Sequence, residues 1–236
     1  MPKYFFAPNQ LQNGTITLTD ETAHHLLHVL RLGIGDSIIL CDGENTDYNT
    51  TIVATQKNAI TCMAKTPRYS GTEPRTHITL FQSLPKGDKM DLIIQKCVEL
   101  GVSEIVPVVT TRSVARTKDT KTIRYQRIAE AAAGQSMRGI IPTVKKTTTF
   151  TQAIKLISNS PTFVAYEEEK TLALKYALQP AKHINIWVGP EGGFTTEEIA
   201  TLKNTGAITV TLGSRILRTE TAAIATVAQI LCLLEE

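Results

Sequence analysis

The chain has 236 residues, enough for one large domain or two smaller ones around a buried core. Hydrophobic residues at 42% and charged residues at 20% are the balance of a soluble globular protein, which excludes a disordered or fibrous chain. The net charge of +3 is a mild bias toward an anionic partner, and no apolar run is long enough to cross a membrane.

Cysteine usage narrows the class further. Cys41, Cys62, Cys97 and Cys232 all lie in apolar runs, and their spacing suggests no zinc knuckle, so they are expected as reduced core thiols. The opening segment, Met1 to Gln10, is aromatic and polar and does not read as a signal segment. A cytoplasmic location, no membrane and no metal are the expectations that follow.

Residues 1–72 read as a small β-rich domain. Thr15 to Leu18, Asp36 to Cys41, Asp47 to Ala54 and Ala59 to Ala64 are short strands separated by turn signals such as Asp42-Gly43 and Lys57-Asn58. A helix from Glu21 to Arg31 interrupts them, with Asp20 as N-cap and Ala23, Leu26, Leu27 and Leu30 on one face. Short strands closing on themselves suggest a barrel. His24 and His28 stand one helical turn apart, as zinc ligands can, but no third ligand accompanies them, and a partly solvated helix face is the expectation. Residues 67–75 hold two prolines and a glycine among polar side chains and read as a linker, so the second domain is assigned to 73–236.

That second domain alternates strands and helices. Thr79 to Leu84 is a strand, and Lys89 to Leu100 an amphipathic helix capped by Gly101. Ile105 to Val109 is the next strand, and a strand–helix–strand unit implies a parallel sheet. Residues 112–127 are the most basic stretch, with Arg112, Arg116, Lys118, Lys121, Arg124 and Arg127 against Asp119 alone; it reads either as a solvated face or as a phosphate track. A helix from Ile123 to Met137 follows, then a short helix from Phe150 to Ile157, a strand from Thr162 to Tyr166 and a helix from Leu172 to Leu178.

The stretch from Ile184 to Thr221 organises the domain. Two short apolar strands, Ile184 to Val188 and Ala207 to Leu212, each end in a glycine-bearing loop followed by a helix-forming run. The first loop is Gly189-Pro190-Glu191-Gly192-Gly193; the second runs from Gly213 to Thr219 and mixes Ile216 and Leu217 with Arg215 and Arg218. Such loops at the carboxyl ends of neighbouring strands form the usual crevice of an α/β sheet. The first loop fits neither the dinucleotide nor the phosphate-loop template, and Glu191 suits a cationic or zwitterionic ligand better than a phosphate. Between them Thr195-Thr196-Glu197-Glu198 is a capping box, and Thr219 to Leu234 is a final helix too apolar for one buried stripe.

Three stretches carry a resemblance to a known family. VGPEGGFTTEE with LGSRILRTETAAI, LPKGDKMDLIIQKCVELGVSEIVPV, and HHLLHVLRLGIGDSIILCDGE closely resemble the RsmE family, the uridine-N3 methyltransferases of 16S ribosomal RNA within the SPOUT superfamily. The resemblance implies an α/β fold: a C-terminal SPOUT domain with a deep trefoil knot on a mostly parallel sheet, and an N-terminal PUA-like β-barrel that contributes to RNA binding. It also implies a homodimer, S-adenosyl-L-methionine as methyl donor, and 16S rRNA within the 30S subunit as substrate.

Residue by residue, the donor is expected against Leu84 and Pro85, against Gly189, Pro190, Glu191 and Gly192, and against Leu212, Gly213, Ile216, Leu217 and Thr219. Arg218 is expected in the catalytic neighbourhood, with Glu191 or Glu220 as proton acceptor. RNA contacts are expected from Lys3, Arg31, Lys86, Arg112, Arg116, Arg124 and Arg138. The first 72 residues carry five Lys or Arg against six Asp or Glu, so any contact there rests on a few side chains. Two departures from the family pattern stand out: Lys3 in place of arginine, and Gly134 in place of the acid before Gln135-Ser136-x-Arg138. The alternatives are another SPOUT methyltransferase, acting on transfer RNA or a ribose hydroxyl, and a non-enzymatic RNA-binding module.

Overall fold

A computed structural model describes residues 3–114, 120–157 and 159–235. The chain forms two units: Met1–Glu73 with Ala133–Ile141, and Pro74–Ala132 with Pro142–Glu236. The linker composition of residues 67–75 points close to the first boundary. The excursion of residues 133–141 into the first unit carries no comparable signal in the sequence.

In the first unit, β1 (Lys3–Phe5), β2 (Leu11–Gln12), β3 (Thr15–Thr19), β4 (Ser37–Cys41), β5 (Thr46–Gln56) and β6 (Ala59–Tyr69) form one six-stranded sheet in the order β1-β4-β5-β6-β3-β2. Inward residues of the strands, including Ile16, Leu18, Ile38, Leu40, Ile52 and Ile60, enclose one apolar cluster, as period-two burial requires. The strands β1 and β2 are too short to leave a periodic signal. The expected helix begins as α1 (Asp20–His24), preceded by Thr19 rather than Asp20 as N-cap, and continues as a π-helical turn over His25–Val29. Arg31 follows with φ 55°, which ends the helical run.

Two expected RNA contacts are corrected here. The Lys3 side chain is fully buried; its ammonium lies 2.7 Å from Asp47 and donates to Ser70 Oγ at 2.8 Å. A lysine closed off this way is a structural ion pair and offers nothing to a phosphate. Arg138 is likewise buried and pairs with Glu73, whose carboxylate also accepts from the Gly139 and Ile140 N–H groups at 2.9 and 3.1 Å. Gly134 has a local reason as well: a Cβ there would lie 2.5 Å from the Lys3 carbonyl oxygen, so this packing leaves no room for an acid.

The second unit holds β7 (His77–Ser83), α2 (Lys89–Leu100), β8 (Glu104–Val109), α3 (Thr120–Gln135, its last residues packing in the first unit), β9 (Thr143–Val144), β10 (Thr148–Thr149), α4 (Phe150–Ile154), β11 (Thr162–Ala165), α5 (Leu174–Ala177), β12 (His183–Val188), α6 (Thr196–Asn204), β13 (Ile208–Val210) and α7 (Thr219–Leu234). Its seven strands run in the order β10-β8-β7-β12-β11-β13, with β9 beside β8, and every pairing is parallel. The fold class is therefore the expected one, an α/β unit on a parallel sheet together with a β-sheet unit.

Both faces of this sheet are covered, so its strands read as continuous apolar runs. Trp187 stacks flat on Phe81 with ring centroids 4.6 Å apart, and Phe150 meets the indole edge-on at 5.6 Å. The helix α2 ends at Gly101, whose φ of 122° few other residues adopt. One expectation fails on α7: Cys232 is exposed, whereas Cys41, Cys62 and Cys97 are buried as foreseen.

Candidate active site

The strand β12 is laid between β7 and β11, so its carboxyl end opens at the middle of the sheet. The loop that leaves it, residues 189–193, is held from three sides. Thr219, at the start of α7 and 5% exposed, donates from Oγ1 to the Gly189 carbonyl at 2.6 Å and accepts from the buried Gln82 amide at 3.0 Å. Arg112 donates to the Gly192 and Phe194 carbonyls at 2.8 and 3.2 Å. The capping box forms as the sequence predicts: Thr195 Oγ1 accepts from the Glu198 N–H, and the Glu198 carboxylate accepts from the Thr195 N–H. The same carboxylate also holds the Thr111 N–H at 2.8 Å, next to Arg112.

Glu191 completes the brace. Its carboxylate accepts from the Lys86 N–H at 3.2 Å and from the Lys89 ammonium at 2.9 Å, and that ammonium also lies 3.3 Å from Glu220. Partial desolvation pushes the Glu191 carboxyl upward, but the Lys89 hydrogen bond and the N–H groups outweigh it and leave its pKa below the ordinary value. The Lys89 ammonium is pushed up, first by its bond to Glu191.

The second loop, residues 213–217, does not lie beside the first. The strands β12 and β13 flank β11, so the two loops belong to next-but-one strands, and the exit of β11 supplies a third wall between them. That wall, Tyr166 to Thr171, is the part of the site the sequence reading missed. A strand ending in Glu167-Glu168-Glu169 inside a parallel sheet was the available signal. Glu169 shapes the turn: its carboxylate collects the Thr171 hydroxyl and N–H, the Leu172 N–H and the Thr209 hydroxyl at 2.7 to 3.1 Å. These bonds hold its pKa at about 2.

The three loops and the start of α7 enclose a cavity of about 870 Å³. Gly189, Pro190, Glu191, Gly192, Leu212, Gly213, Ile216, Leu217, Arg218 and Thr219 all line it, so most of the expected donor-binding set is brought together. Leu84 and Pro85 do not; both are buried at the end of β7, and Leu84 is 1% exposed. Both side chains are taken up by burial at the carboxyl end of β7, while the Lys86 N–H that follows them is bonded to Glu191 of the first loop. Glu220 also stays outside the lining, turned toward Lys89.

With this geometry in place, the comparisons with known proteins are decisive. A family model described as the RNA methyltransferase domain matches residues 72–231, and one described as the RNA methyltransferase PUA domain matches residues 18–62. The ribosomal RNA small subunit methyltransferase E of Bacillus subtilis is 32% identical over 94% of this chain and 93% of its own length. The chain belongs to the ribosomal RNA small subunit methyltransferase E family. The protein of that name from Synechocystis is 33% identical over 97% of this chain and 77% of its own. The crystal structure of the Neisseria gonorrhoeae member, bound to S-adenosyl methionine, has a TM-score of 0.91 at 32% identity and covers 99% of this chain and 98% of its own.

The remaining cations expected to meet RNA fall at different places in this chain. Arg31 and Lys86 are exposed. Arg124 is exposed and pairs with Asp91. The Arg112 guanidinium is engaged by the first loop, so it acts there before it can meet a phosphate. Arg116 lies outside the described residues. Among the described residues no cluster of His, Cys, Asp and Glu could hold a metal ion, and the His24 and His28 rings lie 4.7 Å apart on their helical run.

Proposed function

We propose that this protein transfers the methyl group of S-adenosyl-L-methionine to N3 of a uridine in 16S rRNA of the small ribosomal subunit. The observation that carries the reading is the cavity at the carboxyl ends of β11, β12 and β13, framed by the very loops that resemble the family. Its volume lies within the roughly 300–1,000 Å³ of small-molecule sites. Its walls combine apolar side chains with main chain that carries no side chain at Gly189, Gly192 and Gly213, which suits a nucleoside carrying a charged tail. The donor supplies, when bound, a methyl group already activated on a sulfonium.

The chain's own residues do the rest. Leu212, Ile216 and Leu217 wall the adenine, and Gly189 to Gly192 hold the ribose and methionine portion. Arg218 is exposed at the cavity edge and precedes α7, where its permanently charged fork stabilises the uridine anion as N3 loses its proton. Glu191 is a weak proton acceptor, since Lys89 and the Lys86 N–H stabilise its ionised form. Glu220 shares the same lysine. Both carboxylates therefore serve to position the loop, and the N3 proton passes to solvent or RNA.

Arg31, Lys86 and Arg124 are the candidates for phosphate contact. The helices α2 and α7 pack together and leave Leu92, Leu100 and Leu233 exposed, which supports a homodimer. The familiar setting of rRNA modification favours the cytoplasm.

The test has two parts. Calorimetry measures S-adenosylmethionine binding, and single-turnover assays on 30S particles with mass mapping locate the methyl group. Methylated N3-uridine is expected, with Arg218→Ala slowing transfer by about 100-fold or more, as when one charge-stabilising donor is removed. Binding without methylation, or a methyl group on a ribose or on transfer RNA, overturns the assignment.

A further inference from the structure

We propose that Glu167 reads the positive charge at the sulfur of the methyl donor, so that the cavity distinguishes the sulfonium form from its neutral thioether counterpart. The inference rests on the reading above and assigns a specificity role to a residue of the wall contributed by β11. Most carboxylates on and near the cavity loops are already engaged. Glu168 accepts the Tyr166 hydroxyl at 2.8 Å. Glu169 takes four hydrogen bonds, as described above. Glu191 is matched by Lys89 and the Lys86 N–H. Glu198 belongs to the capping box and to Thr111.

Glu167 lines the cavity, and among the described residues its carboxylate has no hydrogen-bond or ion-pair partner. The nearby Lys170 ammonium donates to the main-chain carbonyl of Glu167, not to its carboxylate. Arg215 and Arg218 stand on the opposite loop and are exposed.

The position of the carboxylate is built into the first loop. Gly193 has φ 67°, and a Cβ on it would lie 2.0 Å from Glu167 Oε1. The missing side chain at 193 is the space the carboxylate occupies, over the main chain of the loop assigned to the ribose and methionine portion. Tyr166 adds no competing anion, because desolvation, and then its bond to Glu168, push its phenol up to about 12. Glu167 is exposed within the open cavity, and an unmatched carboxylate there, beside Ala165, Ala173 and Val188, favours an organic cation over a neutral isostere.

The test is calorimetry on the full chain and on Glu167→Gln, an isosteric change that removes only the charge. Three ligands share the adenosine and the amino-acid tail and differ at one centre: S-adenosylmethionine, S-adenosylhomocysteine, and sinefungin, which carries an ammonium where the sulfonium stands. The variant is expected to bind the two cationic ligands about tenfold more weakly, the scale of one partly screened charge pair, and the neutral thioether unchanged. Retained thioether binding also shows that the variant is folded. Equal weakening of all three would assign Glu167 to the α-ammonium they share and overturn the proposal, as would an unchanged ratio between them. If the wild-type chain binds none of the three, the methyltransferase reading fails first and this inference with it.

Discussion

The two glycine-bearing loops look alike in sequence and differ in how they are held. The 189–193 loop is tied by Thr219, Arg112, Lys86 and Lys89, and a Cβ on Gly189 would meet the Phe194 ring at 3.3 Å. Around Gly213 a Cβ would meet nothing within 4 Å, and Ile216 is 81% exposed. One side of the cavity is thus finished by the protein, while the other leaves apolar surface for a ligand to cover.

The comparison predicts that damage to the first loop is felt without ligand, and damage to the second only with it. The largest effect is expected from Thr219→Val. The change keeps the shape but strands the half-buried Gly189 carbonyl and one N–H of the buried Gln82, which costs about 2 kcal/mol. Thermal melting without ligand should fall by about 4–8 °C. An unchanged melt would mean that the first loop is not held by this hydroxyl. Next comes Ile216→Ser. It should leave the ligand-free melt where it was and weaken S-adenosylmethionine binding about tenfold, the effect of one apolar side chain no longer buried against the adenine. A lower melt without ligand would erase the contrast between the loops.

A third, smaller effect sharpens the account of the brace. Glu191 has a folded pKa below its ordinary 4.5, so its contribution is present at neutral pH and is lost as pH falls through the folded value. In Lys89→Met the main bond that lowers it is gone, so Glu191 should contribute less stability at neutral pH and the loss of stability on acidification should become shallower. Urea unfolding between pH 3 and 7, followed by Trp187 fluorescence, measures it. An equal loss of stability between pH 7 and pH 3 in both proteins would remove Glu191 from the brace.

Much of this site was legible because local rules govern it. The capping box at Thr195 and Glu198 and the helices Lys89–Leu100 and Thr219–Leu234 follow from caps and periodicity, and the structure reproduces them. What stayed hidden depends on distant partners. Nothing near Lys3 in sequence announces Asp47, and nothing near Arg138 announces Glu73, so two buried ion pairs read as free cations. The strand order was equally out of reach: placing β11 between β12 and β13 turned Tyr166 to Thr171 into a cavity wall. The two-residue strands β2, β9 and β10 are too short for any period to show.

The smallest effect is expected at the opposite end of the same strands, and it tests whether the contrast is confined to the carboxyl ends. His77 opens β7 and is the register partner of His183 on β12, with ring centroids 5.1 Å apart. Partial desolvation and then the charge of His183 lower the His77 pKa from 6.5, against the pull of Glu104. Above pH 6.5 the ring is neutral in the folded and unfolded chains, and it contributes nothing to the pH dependence. As pH falls below that value the unfolded chain takes up the proton first, so stability declines until the folded ring also titrates. His183→Gln removes the neighbouring charge and should flatten this decline, seen as a smaller drop in the urea midpoint between pH 7 and pH 5. Saturating S-adenosylmethionine should raise the midpoint at every pH and leave the slope alone, because His183 lies at the amino end of β12 and the cavity at its carboxyl end. A ligand-dependent slope would mean that the two ends of the sheet are coupled, and the division between a finished loop and an open one would have to include them both.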